Sequence, residues 1–271
     1  MSREAAAGAA ARTASLTARG VTSRKDIAVS VTLMEPGHGI VFSLPGESGP
    51  VSLPARADFV VNTLRNVVLG SGSVRLCIVE HFLAAASLWG LDDMLVSVDG
   101  MEMPLGDGSG QIWTDMFAAA GWQPRPVAST IELAEPVVVV KGDRILAAVP
   151  ADRFSVSYHM DWNHPLIGKR WQHWDATQAH TEVSTARTFG SLKEHQMLGL
   201  ADDVVSMTED GFTQPLRFAD EPVRHKLLDL IGDLALTGVN PVAFKARFVS
   251  IKGGHELDVE LARKLAPFAK R

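Results

Sequence analysis

Residues Val223 to Leu236 set His225 four positions before Asp229, and Asp229 four before Asp233. At about 100° per residue, the three side chains share a narrow stripe of a helix, a spacing suited to metal ligation or to ion pairing. Val223, Leu227, Leu230, Ile231 and Leu234 fill the opposite arc, and Leu228 and Leu236 extend the apolar surface further, so the helix is expected to be enclosed. Charges on an enclosed helix need partners, because an unpaired buried carboxylate neutralises itself by a pKa shift. A divalent metal is one such partner.

A hydrolytic zinc site takes three protein ligands and keeps one position open. Two ligands at i and i+4 therefore call for a third from elsewhere, and His81, directly after Glu80, is the candidate. A carboxylate beside a metal suits hydrolysis, in which zinc lowers the pKa of water to about 7 and a general base removes the proton. Glu80-His81 also reads as a helix N-terminus that favours an acidic residue. Gly253-Gly254-His255 delivers a histidine to the start of the last helix. Held by Asp233, His255 would be cationic and could stabilise an oxyanion or protonate a leaving amine; otherwise it is an exposed loop residue. Thr188, before a Gly turn, is either an oxyanion donor or a turn residue. His159, His173, His180 and His195 have no spacing that recommends them and read as structural or surface residues.

The composition narrows the alternatives. The chain has 271 residues, 46% hydrophobic and 21% charged, enough for one large or two ordinary domains. A net charge of −5 and the lack of long Lys/Arg runs argue against nucleic acid. No long apolar window points to stable membrane insertion, so a cytoplasmic protein acting as a monomer is expected. The single cysteine, Cys77, rules out an intramolecular disulfide and every Cys-x-x-Cys motif, which leaves His and carboxylates as metal ligands. No Ser nucleophile elbow, phosphate-binding Gly loop, zincin motif or dinucleotide fingerprint competes.

The elements that must position these residues follow from periodicity. Met1 to about Ser15 reads as a disordered tail. Alternation at Ile27, Val29, Val31 and Leu33 predicts a strand, with Ile40 to Leu44 as its neighbour. Val79, Phe82, Leu83 and Ala86 predict a helix ending at Gly90, followed by a strand over Met94 to Val98 and a short helix over Gln111 to Ala120. Gln123 to Val127 reads as a linker. Beyond it, Val137 to Val140, Ile145 to Val149 and Phe154 to His159 predict strands with a Gly142-Asp143 turn, and helices are expected at Glu221 to Thr237 and Glu256 to Phe268. The second half thus repeats the scheme of the first. The expectation is an α+β protein with an N-terminal domain (16–126) and a C-terminal domain (127–271), whose helical faces pack on one another.

Taken together, Ile78-Val-Glu-His81, Met103-Pro-Leu-Gly-Asp-Gly-Ser109, Asp161-Trp-Asn-His-Pro165, Ala186-Arg-Thr-Phe-Gly190, Arg224-His-Lys-Leu-Leu-Asp-Leu-Ile-Gly-Asp233 and Lys252-Gly-Gly-His255 resemble the zinc-dependent UDP-3-O-acyl-N-acetylglucosamine deacetylases of lipid A biosynthesis. The resemblance spans about Val51 to the C-terminus. It implies two similar α/β sandwich domains with helices between two sheets, His81, His225 and Asp229 as zinc ligands, and Glu80 as general base. It further implies His255 as a cationic partner oriented by Asp233, Thr188 on the carbonyl oxygen, and Lys226 and Phe189 on the sugar nucleotide. Iron(II) is an alternative ion for such ligands.

Two segments depart from the family pattern. Arg19-Gly-Val-Thr-Ser-Arg-Lys25 lacks the histidine of the family's N-terminal Gly-Val-Gly-Leu-His segment. Between Phe189 and His225 the family inserts a β-α-β excursion that walls an acyl tunnel; here the segment is short and acidic, with Leu200-Ala-Asp-Asp-Val-Val-Ser206 in its place. Retained chemistry with altered acyl recognition is the expectation. A related amidohydrolase for a less lipidic amide, and a non-catalytic sugar-nucleotide-binding protein, are the alternatives.

Overall fold

The computed structural model describes residues 12–269. The chain runs through β1 (Thr13–Arg19), β2 (Asp26–Leu33), β3 (Ile40–Leu44) and β4 (Val51–Pro54). Next come β5 (Val60–Asn62), β6 (Val68–Ser71), β7 (Val74–Cys77), α1 (Glu80–Trp89), β8 (Met94–Val98) and α2 (Gln111–Ala119). The second half holds β9 (Ile131–Glu132), β10 (Val137–Lys141), β11 (Arg144–Pro150), β12 (Ser155–Trp162), β13 (Gly168–Asp175) and α3 (Thr181–Ser184). It ends with β14 (Phe189–Ser191), α4 (Leu192–Leu198), β15 (Val205–Met207), α5 (Glu221–Leu234), β16 (Phe244–Ile251) and α6 (His255–Leu265).

Two sheets share one plan. The first has the order β1-β2-β8-β3-β4, the second β10-β11-β16-β12-β13 with β9 alongside β16. In each, two antiparallel hairpins are split by a later strand, β8 or β16, which runs parallel to the first strand of the second hairpin. A helix precedes that inserted strand (α1, α5) and another follows it (α2, α6). The repeated scheme read from the sequence is therefore a repeated topology.

Each strand buries one face. Ile27, Val29 and Val31 point inward from β2 while their neighbours stay at least partly exposed. They join Phe82, Leu83 and Ala86 of α1 and Trp113 and Phe117 of α2 in one core. A second core joins Val156, Phe244 and Phe248 of the second sheet to Leu227, Leu230 and Ile231 of α5 and to Leu257, Leu261 and Leu265 of α6. The helices thus form the inner layers of an α/β sandwich. Gly90 caps α1 in the left-handed conformation, φ 73°. The layers come closest where α5 crosses α1, since a Cβ on Gly232 would overlap the backbone carbonyl of Glu80.

Three expectations are corrected. The disordered tail to Ser15 falls largely outside the described residues, but Thr13 to Ser15 belong to β1 and pair with Ser30 to Thr32. The neighbours of β3 are β8 and β4, not β2, because β8 inserts between the hairpins. The β-α-β excursion is present in compact form. Strands β14 and β15 pair in parallel around α4. That helix is capped by Ser191, which accepts from the Glu194 N–H at 3.2 Å, and by left-handed Gly199. Three-residue strands carry no readable alternation, so spacing alone does not reveal them.

Gly232→Ala should destabilise the protein by about 1–3 kcal/mol, the usual cost of overpacking. Denaturant unfolding measures it; a midpoint equal to wild type would show that the helices can separate without cost.

Candidate active site

The site begins with a strained turn. Strand β7 ends at Cys77, and Ile78 takes φ 63°, a left-handed conformation that a β-branched residue enters at a cost on the order of 1–3 kcal/mol. Its N–H donates to Val67 O at 3.1 Å. The turn starts α1 immediately, so Glu80 and His81 occupy its first turn and face α5. Both are buried, and the Val67 N–H donates to Glu80 Oε2 at 3.0 Å. Burial pushes the Glu80 carboxyl above its usual range, against the opposing charges of His255 and His81.

The stripe on α5 meets this turn. Ligand atoms of His81, His225 and Asp229 all lie within 4.8 Å of one another. Asp229 Oδ1 is 3.2 Å from His225 Nε2 and 3.6 Å from His81 Nε2, yet it is buried without a hydrogen-bond partner. His225 Nδ1–H donates to Ala186 O at 3.0 Å, which leaves the Nε2 lone pair facing the cluster. Lys226 Nζ donates to Asp229 Oδ2 at 2.7 Å and fixes the carboxylate edge-on. Burial opposes the Lys226 charge, but Asp229 and Tyr158 outweigh it and raise the pKa above the ordinary lysine value. Two imidazole nitrogens and a carboxylate oxygen gathered in one buried space fit a divalent ion of the zinc or iron(II) type.

Asp233 and His255 form the adjacent pair. Lys252 takes φ 52°, and the two glycines after it bring His255 to the first position of α6. Its Nδ1–H donates to Asp233 Oδ2 at 2.7 Å. Burial and the helix N-terminus work against an imidazolium, but Asp233 more than offsets them and pushes His255 up to about 10. A carboxylate oxygen of Asp258 also lies within 4.8 Å of the ligand atoms of this pair, so Asp233, His255 and Asp258 form a second close group of two carboxyls and an imidazole.

Thr188 and Phe189 sit on the segment that caps the cluster. The Thr188 N–H donates to Gly108 O at 2.6 Å, and Gly108, at φ 87°, leaves no room there for a side chain. The Phe189 ring stands edge-on to His225 at 6.3 Å and contacts Trp162 at 5.2 Å. A buried ion pair, Arg187 Nε to Glu221 Oε1 at 2.8 Å, ties this segment to the start of α5. The expected residues of α1, α5 and the start of α6 thus gather with Phe189 around one cluster, while Thr188 lies against Gly108. His195 and His180 bond Ser206 and Ser184 away from the cluster, as structural residues do. Spacing had not singled out Trp162, Tyr158 or Asp258, although Asp258 lies three residues beyond His255 on the same helix face.

The two departing segments meet each other. Glu102 accepts the N–H groups of Thr22 and Ser23 at 3.0 and 2.8 Å, which presents Arg24 to Asp203 of the compact excursion at 2.9 Å.

A buried His-His-carboxylate cluster, a neighbouring carboxylate and a carboxylate-held imidazole, carried on helices between two sheets, define a metal-dependent hydrolase. The family model for LpxC, UDP-3-O-acyl N-acetylglycosamine deacetylase, matches residues 9–267, and the chain belongs to that family. Among its relatives, the UDP-3-O-acyl-N-acetylglucosamine deacetylase of Nostoc sp. is 35% identical over 88% of this chain and 90% of its own. Those of Leptospira biflexa and Myxococcus xanthus are each 36% identical, covering 90% and 93% of this chain and 84% and 83% of theirs. Among the described residues, no helix is long and apolar enough to cross a membrane.

Asp233→Asn should lower the His255 pKa from about 10, since Asp229 and Glu80 then oppose burial without the help of Asp233. Because the folded pKa is raised, the stability the imidazolium contributes is complete below about pH 6.5, the unfolded value. It is lost as the pH rises through about 10. NMR titration of the imidazole checks the shift, and an unchanged midpoint would assign the charge of His255 to another partner.

Proposed function

We propose that this chain removes the N-acetyl group from a UDP-3-O-acyl-N-acetylglucosamine, using a divalent ion held by His81, His225 and Asp229. Zinc is the first choice of ion and iron(II) the alternative. The observation that carries this reading is the convergence, in one buried space, of that ligand set with a carboxylate of raised basicity, Glu80, and a charged imidazole, His255. When bound, the ion acidifies water and polarises the amide carbonyl.

The protein's own groups supply the proton movements. Glu80 is fixed by the Val67 N–H on Oε2, so Oε1 is free to accept a proton from the attacking water. Its raised pKa makes it a better base. His255 stays cationic there, so its Nε2–H can stabilise negative charge on the former carbonyl oxygen and then protonate the departing amine. The Thr188 hydroxyl is the second donor to that oxygen. Lys226 contributes positive charge beside Asp229, and the Phe189 ring, braced by Trp162, forms a wall for the sugar nucleotide.

Glu80→Gln should lower turnover by about 10²–10⁴-fold, the range of a general base, while metal content is retained. Deacetylation assays with metal analysis test this; loss of metal in the variant would make Glu80 a ligand and sink the assignment. With the compact excursion in place, a long-chain 3-O-acyl substrate should also react faster than its deacylated analogue, because each methylene buried is worth about 0.8 kcal/mol. Equal rates would move the reading to a less lipidic amide.

A further inference from the structure

Behind His255 lies a fourth buried acid, which the proposed chemistry does not use. Asp258 is one turn along α6 from His255, on the same face, and is 1% exposed. A carboxylate oxygen from each of Asp233 and Asp258 and an imidazole nitrogen of His255 lie within 4.8 Å of one another. Asp233 spends Oδ2 on His255, whereas Asp233 Oδ1, Asp258 Oδ1 and the Ser250 hydroxyl are all buried with no hydrogen-bond partner. Gly253 allows the close approach, since a Cβ there would overlap Ser250 Oγ and stand 3.5 Å from Asp258 Oδ1.

Two ionised carboxylates this close in a dry interior repel, and both accept hydrogen bonds without donating any. One added proton removes the repulsion and supplies the missing donor. Asp233 directly faces the imidazole and keeps the negative charge, so the proton belongs to Asp258. We propose that Asp258 is a positioning residue: its neutral carboxyl donates to Asp233, completing a chain Asp258-Asp233-His255 that fixes the carboxylate holding the imidazolium. This rests on the reading of His255 as the cationic partner in deacetylation.

The surroundings agree. Burial and the charge of Asp233 push Asp258 up to about 8, outweighing His255 and Lys226, with Asp229 adding to the rise. The hydroxyl of Tyr158, which also feels Asp258, donates to Gly253 O at 2.8 Å and keeps its own proton. An acid with this setting loses its proton in mildly alkaline solution, and the chain then gains a negative charge beside the place where the oxyanion forms.

The test compares Asp258→Asn, which keeps a neutral donor, with Asp258→Leu, which removes it, in the metal-loaded full chain. Asp258→Asn should hold kcat within about threefold of wild type at pH 7 and extend activity to higher pH. Asp258→Leu should lower kcat about tenfold with KM and metal content unchanged. NMR titration of His255 gives a readout independent of turnover: an inflection near pH 8 in the wild type should vanish in Asp258→Asn. Unchanged kcat and imidazole signals in Asp258→Leu, or an Asp258→Asn variant as impaired as Asp258→Leu, would overturn the inference. If the wild type fails to deacetylate the substrate, the functional reading falls, and the imidazole titration alone decides the role of Asp258.

Discussion

Enclosing charge between two packed helices is the constraint on which the structure turns. Glu80, Asp229, Asp233 and Asp258 are buried together with His81, His225 and His255, with the half-buried Lys226 at their edge, in a space closed by the contact of Gly232 with the Glu80 backbone. Every carboxyl there faces a desolvation cost of several kcal/mol unless a cation or donor answers it. Lys226 answers Asp229 on one edge, His255 answers Asp233, and the Val67 N–H answers Glu80. What remains is the inner edge of Asp229, 3.2 and 3.6 Å from the Nε2 atoms of His225 and His81, and one oxygen each of Asp233 and Asp258. The same burial that threatens the fold thereby raises the pKa of Glu80 and of Asp258.

Supporting features are strained or tight where the site needs them. Ile78 holds a left-handed backbone so that a helix can begin directly after a strand and put two functional residues in its first turn. Gly108 and Gly232 mark where backbones approach too closely for any side chain. A buried Arg187–Glu221 pair secures the segment that bonds His225 through Ala186. The precision of the cluster is thus provided by groups that never touch it.

Much of this was legible in the sequence, and the reasons are physical. The buried polar stripe on α5 showed itself because His225, Asp229 and Asp233 recur at helical spacing against an apolar arc. The alternation of Ile27, Val29 and Val31, and the stop at Gly90, gave strand and helix boundaries nearly as observed. Strand β16 passed unread although Phe244, Ala246 and Phe248 alternate with Lys245 and Arg247. Its place between the two hairpins, like that of β8, depends on contacts across the chain that no local pattern records. The compact excursion was hidden for a different reason: its strands are too short to show a period, and the Ser191–Glu194 cap was the one local sign of it. The partnership of Asp258 with Asp233 joins two helices and is likewise non-local.

The duplicated topology has a consequence for how the protein comes to be assembled. His81 belongs to the helix that precedes the inserted strand of the first sheet, and His225 and Asp229 belong to the equivalent helix of the second. The proposed ligands therefore lie on equivalent helices in two copies of one architectural unit, and neither copy alone holds all three of them. An ion held as proposed would in this sense be a checkpoint on docking: its free energy would accrue only to chains whose halves had already found each other, and a chelator would pull at the seam before touching either core.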